Sequence, residues 1–131
     1  MSHEIPEDLF YTESHEYLQV DDGTGTIGLT AYACSELNEI IYLELPEEAA
    51  ELRQGEPMGS VEAVKAVFDL NSPCSGEVIE VNNQAVENPQ IVIDDPYGEG
   101  WLVKVKIDDP DELDALMTSD DYEVHCAKEA H

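Results

Sequence analysis

The stretch Pro57-Met58-Gly59-Ser60-Val61-Glu62-Ala63-Val64-Lys65-Ala66-Val67-Phe68-Asp69-Leu70 sets one lysine between two runs rich in β-formers. Residues with branched or aromatic side chains fit a pleated, half-buried surface, so the two runs read as strands with Lys65 at the tip between them. A flexible cation at a hairpin tip is open to an acylating enzyme and can swing whatever it carries. The same lysine reads equally as a surface residue that merely ends a strand.

Outward from this hairpin the punctuation continues. Downstream, Asn71-Ser72-Pro73 and Ser75-Gly76 signal turns before the alternating strand Glu77-Val78-Ile79-Glu80-Val81, which Asn82-Asn83 closes. Pro89 to Ile93 reads as a further short strand, and Asp94 to Gly100 as a loop. Trp101 to Ile107 alternates Trp101, Val103, Val105 and Ile107 against Leu102, Lys104 and Lys106, which places both lysines toward water. Beyond Pro110 the spacing of Leu113, Leu116 and Met117 is helical, and Ser119 is placed to cap a last helix to about Lys128.

Upstream, residues 47 to 56 are polar and helix-tolerant as far as Gly55, and Ile40 to Leu45 reads as a strand ended by Pro46. Thr30 is a good N-cap for a helix over Ala31 to Leu37. Before it, Glu16 to Val20 and Thr26 to Leu29 flank Asp22-Gly23, a pair suited to a hairpin turn with positive φ. Asp21-Asp22-Gly23 resembles the start of a calcium loop but lacks its later oxygen ligands and closing glutamate. Many short strands with Gly and Pro punctuation and short helices predict an antiparallel β-rich sandwich or barrel, in one domain over 1–131.

Composition excludes several functions. The 131 residues carry 31 Asp and Glu against 5 Lys and Arg, a formal net charge of −26. The five cations are scattered, so neither nucleic acid nor an anionic membrane is an expected partner. With 42% hydrophobic residues a core can form despite the charge. No run of 18 apolar residues occurs, and the acidic start differs from the basic start of a signal peptide, so a cytoplasmic location is expected. Self-repulsion on this scale is relieved by counterions, which suggests a saline cytosol; acidity serving solubility or docking to basic surfaces is the competing reading.

Chemistry-bearing motifs are sparse. The chain has no Gly-rich phosphate loop, nucleophile elbow or HExxH pattern, which disfavours a free-standing enzyme. His3, His15, His125 and His131 are dispersed; His125-Cys126 with His131 is a weak metal candidate near the end of the chain. Cys34, Cys74 and Cys126 are an odd number without CxxC spacing, which gives a disulfide framework little support. Cys74, close to the hairpin, reads as a packed thiol rather than a reactive one.

Ordered motifs nevertheless run through almost the whole chain. They are Tyr11-Thr12-Glu13-Ser14-His15-Glu16, Gly28-Leu29-Thr30, Leu45-Pro46, Glu62-Ala63-Val64-Lys65, Asn71-Ser72-Pro73, Ser75 to Asn82, Asp95 to Trp101, and Pro110 to Leu113. In these the sequence resembles the H proteins of the glycine cleavage system, which are lipoyl carriers. It departs from them at Tyr17, where Trp is usual, at Ala63, at Asn38-Glu39, and at Ile93, where a polar residue is usual.

The resemblance implies a mainly β fold, a barrel-sandwich hybrid of the lipoyl and biotinyl carrier kind with short helices and a C-terminal helix. It implies lipoic acid amidated to Lys65, which takes the formal charge from −26 to −27. Glu62 falls at the position read as recognition by the lipoyl ligase or transferase. Ser14, Glu16 and Asp69 fall at the positions of a cleft that shelters an aminomethyl-loaded arm. The implied partners are the glycine decarboxylase (P protein), the aminomethyltransferase (T protein) and dihydrolipoamide dehydrogenase (L protein), with the chain itself a non-catalytic monomer. Alternatives are a biotinyl domain, against which Val64 and Ala66 stand because methionines usually flank that lysine, and a related lipoyl carrier in lipoate transfer or sulfur metabolism. From another class, an unmodified acidic interaction module remains.

Overall fold

Asp22 and Gly23 both adopt positive φ, 52° and 82°, and so build the tight connection between the first two long strands. The computed structural model describes residues 5–37, 39–64 and 67–129; Asn38, Lys65, His3 and His131 lie outside the described residues. Strands β1 (Phe10–Tyr11), β2 (Glu16–Asp21), β3 (Thr24–Leu29), β5 (Glu51–Leu52), β8 (Gly76–Val81) and β9 (Val103–Ile107) form one sheet, in the order β1-β2-β3-β9-β8-β5. A second sheet holds β4 (Ile40–Glu44), β6 (Pro57–Ala63) and β7 (Val67–Asn71), with β6 in the middle. Every pairing is antiparallel. The fold is mainly β, two antiparallel sheets trimmed by short helices, as the sequence leads one to expect.

Both sheets contribute to one apolar cluster. Leu18, Ile27, Val103 and Val105 come from the first sheet, and Leu43, Val61 and Leu70 from the second. The alternation that makes this possible is plain in β6, where Val61 and Ala63 are buried and Glu62 is exposed. A second cluster gathers Tyr11, Tyr17, Tyr32, Tyr122 and Cys126 beneath the last helix, α4 (Ser119–Glu129). Gly28 is needed beside it, because a Cβ there would come within 2.6 Å of the Tyr17 ring. Tyr17 fills the place of the usual Trp and donates from its hydroxyl to the Pro96 carbonyl at 2.7 Å.

Helix α1 (Ala31–Leu37) begins as expected: the Thr30 hydroxyl accepts from the Ala33 N–H at 3.2 Å. Other expectations are corrected. Pro89 to Ile93 is no strand; the segment forms the helix α3 (Gln90–Asp94), with Pro89 already in the αR region. One turn of helix buries Val92 completely and turns Ile91 and Ile93 to the core, and this overrides the β preference of the branched run. Asn82-Asn83 opens a second helix rather than simply closing a strand. The Asn82 amide is held by the Glu99 and Trp101 carbonyls at 2.8 and 2.7 Å, and α2 (Asn83–Glu87) follows.

Residues 47 to 56 are not helical; Ala49 takes φ 72°, and β5 pairs with β8 at Glu51–Glu77 and Leu52–Gly76. Leu102 is fully buried rather than turned to water, since regular alternation starts only at Val103. Residues Pro110–Ala115 form a 3-10 helix capped by the Asp109 carboxylate. The last helix is capped not by Ser119 but by Thr118, whose hydroxyl accepts from the Asp121 N–H at 3.3 Å.

Candidate functional site

The segment Thr12 to Glu16, between β1 and β2, closes on itself. The Thr12 carbonyl accepts from the His15 N–H, and the Thr12 hydroxyl oxygen accepts from the Glu16 N–H at 3.0 Å. His15 is driven to φ 73°, a left-handed conformation a non-glycine residue keeps only when neighbours hold it. Its imidazole Nδ1 lies 2.7 Å from the Tyr122 hydroxyl and its ring packs on Tyr32, 4.8 Å between centroids. The turn therefore aims the Glu16 side chain inward.

Glu16 is 1% exposed. Its Oε1 accepts from the hydroxyls of Thr12 at 2.5 Å and Ser14 at 2.6 Å, and its Oε2 accepts from the Asn71 N–H at 3.0 Å. A carboxylate offers about four acceptor positions. Three are filled by described residues, two on Oε1 and one on Oε2. The Asn71 amide also donates to the Ser14 hydroxyl at 3.3 Å, which ties the turn to the end of β7 a second time.

Beside this carboxylate lies a cleft of about 530 Å³ between the turn, α1 and the hairpin of β6 and β7. Leu29, Val61 and Leu70 give it an apolar floor, and Phe68, half exposed, an apolar wall. Ser14, Glu16 and Asp69 all line it, so the fold brings Asp69 to a pair of residues more than 50 positions before it. Sequence reading left out the contributions of Glu13, His15, Tyr32 and Glu36. For the last two a signal was present: Tyr32 and Glu36 are spaced i, i+4 on α1 and so share its face. The meeting of His15 with His125, 5.5 Å between ring centroids, had no local signal.

Glu62 is exposed on β6, and Val64 and Val67, on either side of residues 65 and 66, are 61% and 64% exposed. Asp69 lies two residues, roughly 7 Å, along β7 from Val67. The cleft thus joins an apolar floor to two carboxylates, an arrangement suited to a flexible aliphatic chain that ends in an amine. Cys74 is completely buried and its thiol is pushed up to about 12, first by burial and then by the Glu112 and Asp108 charges, so it is a packed group and no partner for a dithiol.

Comparison with known proteins identifies the family. Residues 9–129 match the family model described as glycine cleavage H-protein. The chain belongs to the glycine cleavage H-protein family. Among its relatives, the glycine cleavage system H protein of Synechococcus sp. strain JA-2-3B'a(2-13) is 49% identical over 122 residues, 93% of this chain and 95% of that one. The H protein of Gloeothece citriformis is 47% identical over 131 residues, 99% of this chain and 100% of that one. The crystal structure of the H protein of Mycobacterium marinum superposes with a TM-score of 0.82 at 32% identity, covering 97% of this chain and 100% of that one. No helix among the described residues is long and apolar enough to cross a membrane.

Proposed function

We propose that this chain is the lipoylated shuttle of a glycine cleavage system, a single non-catalytic carrier domain over 1–131 with lipoic acid amidated to Lys65. Family membership supports the system, and the cleft supports the cargo. When bound, the lipoyl group supplies a dithiolane that receives an aminomethyl group at the glycine decarboxylase, surrenders it at the aminomethyltransferase, and is reoxidised by dihydrolipoamide dehydrogenase. Attachment to a carrier replaces free diffusion with a high effective concentration at each partner.

The chain's own residues act on the cargo by binding and shielding it. Leu29, Val61, Leu70 and Phe68 hold the aliphatic part away from water. Glu16 is the anion at the closed end, buried and oriented by Thr12, Ser14 and Asn71. The convergence of Glu16 and Asp69 on one cleft with an apolar floor is the observation that carries the reading, because an ammonium group placed there forms charge-assisted interactions in a partly dry site. Asp69 supplies a second carboxylate at the mouth, and Ser14 keeps the Glu16 carboxylate in place. Glu62, exposed on the strand that runs into the hairpin, serves recognition by the lipoyl ligase or transferase.

The protein works in the cytoplasm as a monomer that meets its enzymes in turn. The test is the rate at which glycine-loaded protein loses ammonia in the absence of the aminomethyltransferase. Asp69→Asn accelerates that loss about threefold at unchanged melting temperature, the range of one exposed ion pair. An unchanged rate overturns the assignment of the cleft.

A further inference from the structure

The outer face of the three-stranded sheet carries an apolar patch that the cleft does not use. Nine large hydrophobic residues are exposed among the described residues, and five of them fall at Ile41, Tyr42, Val64, Val67 and Phe68. Phe68 lines the cleft; Val64 and Val67 stand on either side of residues 65 and 66, and Ile41 and Tyr42 lie on the neighbouring strand β4, where Tyr42 also lines a second hollow with Val81 and Val86. In a chain of net charge −26, such concentration of apolar surface at one end of one sheet marks a contact surface.

The register shows how the patch is built. Tyr42 pairs with Glu62, and Glu62 with Val67, so the three form one row across β4, β6 and β7. The rows on either side turn inward: Ile40 with Ala63, and Leu43 with Val61, are all buried. A register shift between Ile40 and Tyr42 inserts Ile41, which is 54% exposed, as is Tyr42. A bulge re-aims side chains, and this one places two large apolar residues in succession on the outer face. Exposed Glu62 stands within the row itself, and exposed Glu39, Glu44 and Asp69 lie on or next to the same strands, so the patch sits among negative charges.

We propose that this row, anchored on Tyr42 with Val67, is the docking surface for the enzyme that acylates Lys65, and that the enzyme presents an apolar mouth rimmed by basic residues. The proposal rests on the reading of Lys65 as the attachment site. An unmodified lysine is short, so an enzyme acting on it must cover the residues next to it, and Val64 and the Glu62–Val67 pair are its nearest described neighbours in sequence. Later partners meet a lysine already lengthened by its arm and have no such need. Charge complementarity fixes the rim: an acidic mouth would repel the four carboxylates and a neutral one would desolvate them without a partner, whereas a basic one speeds encounter. In the acylation, the amine nitrogen forms the amide C–N bond. The bond between the acyl carbon and its activating group, a thioester sulfur or adenylate oxygen, breaks with the electron pair leaving on that group, and the surplus amine proton passes to water.

The test uses the full, unlipoylated chain with a purified lipoate–protein ligase, lipoic acid and ATP, and follows acylation of Lys65 by mass spectrometry. Tyr42→Ser raises KM for the chain about tenfold with kcat unchanged, as expected for loss of an aromatic anchor. Tyr42→Phe restores it, and Val20→Ser, at an exposed position on β2, leaves it unaltered. Val67→Ser, on another strand of the same row, repeats the effect should Tyr42→Ser lower the melting temperature. A folded Tyr42→Ser chain with the parent KM overturns the proposal. So does a Tyr42→Ser chain acylated normally but loaded slowly by the decarboxylase once lipoylated, or a parent chain that self-associates through this face in sedimentation. Failure of the parent chain to be acylated at Lys65 overturns instead the reading on which the proposal rests.

Discussion

The Asn71 backbone N–H donates to Glu16 Oε2 at 3.0 Å, joining residues 55 positions apart in sequence. Through this bond the turn that holds Ser14 and His15 is pinned to the end of β7, the strand that leads away from the lysine hairpin. The acid lining the cleft is thus also a tie between the two sheets.

Removing that tie carries a stability cost distinct from any effect on cargo. Glu16→Ala leaves the Asn71 N–H and two hydroxyls without their acceptor; Ser14 is exposed and Thr12 and Asn71 are partly buried, so water replaces much of what is lost. At about 0.5–1.5 kcal/mol for each hydrogen bond, a loss of about 2 kcal/mol is expected in urea unfolding.

Gly28 is a site of steric rather than polar constraint. A methyl group there meets the Tyr17 ring at 2.6 Å, and Tyr17 is pinned by its bond to Pro96 and by contact with Tyr97. Gly28→Ala is expected to lower stability by about 2 kcal/mol, the range of overpacked cores. Combination with Tyr17→Leu recovers part of the loss, as a double-mutant cycle measures.

Burial of the thiols sets an alkaline limit. Cys34 and Cys74 are each pushed up to about 12 from 9.0, chiefly by desolvation. The folded chain therefore holds more protons than the unfolded one between these values, and stability falls as pH rises through that window, while below pH 9 the contribution is constant. Denaturation midpoints measured from pH 7 to 11 check the sign. Both thiols are also expected to resist an aromatic disulfide reagent at pH 8 until the protein unfolds.

Much of the architecture was legible locally. Asp22-Gly23 specified its turn through φ alone, and the alternation in β8 and β9 marked buried and exposed faces. The misread segments are those where a distant contact outweighed local preference. Ile91-Val92-Ile93 looks like a strand, yet one helical turn suits the cavity Val92 fills. Glu51-Leu52 is a strand only because β8 lies beside it. In the site, family motifs picked out Ser14, Glu16 and Asp69, but nothing local told that Glu16 would be buried. Its hydroxyl partners are adjacent in sequence, and its decisive donor is a backbone group on another sheet. His15 and His125 stand near opposite ends of the chain and meet only through α4.

With a net charge of −26, self-repulsion opposes folding and counterions relieve it. Melting temperature is expected to rise by more than 10 °C between 0.05 M and 1 M KCl, with most of the gain at the low end, where the Debye length changes most. A flat profile would show that the acidity serves solubility or docking instead.

The central claim is that Lys65 carries a lipoyl group, and peptide-level mass spectrometry of the protein from its native, lipoate-replete cells tests it most directly. The account predicts lipoamide on the peptide that holds Glu62 and Lys65, and on no other lysine. An unmodified Lys65 in those cells would contradict it and leave an acidic interaction module on the same fold.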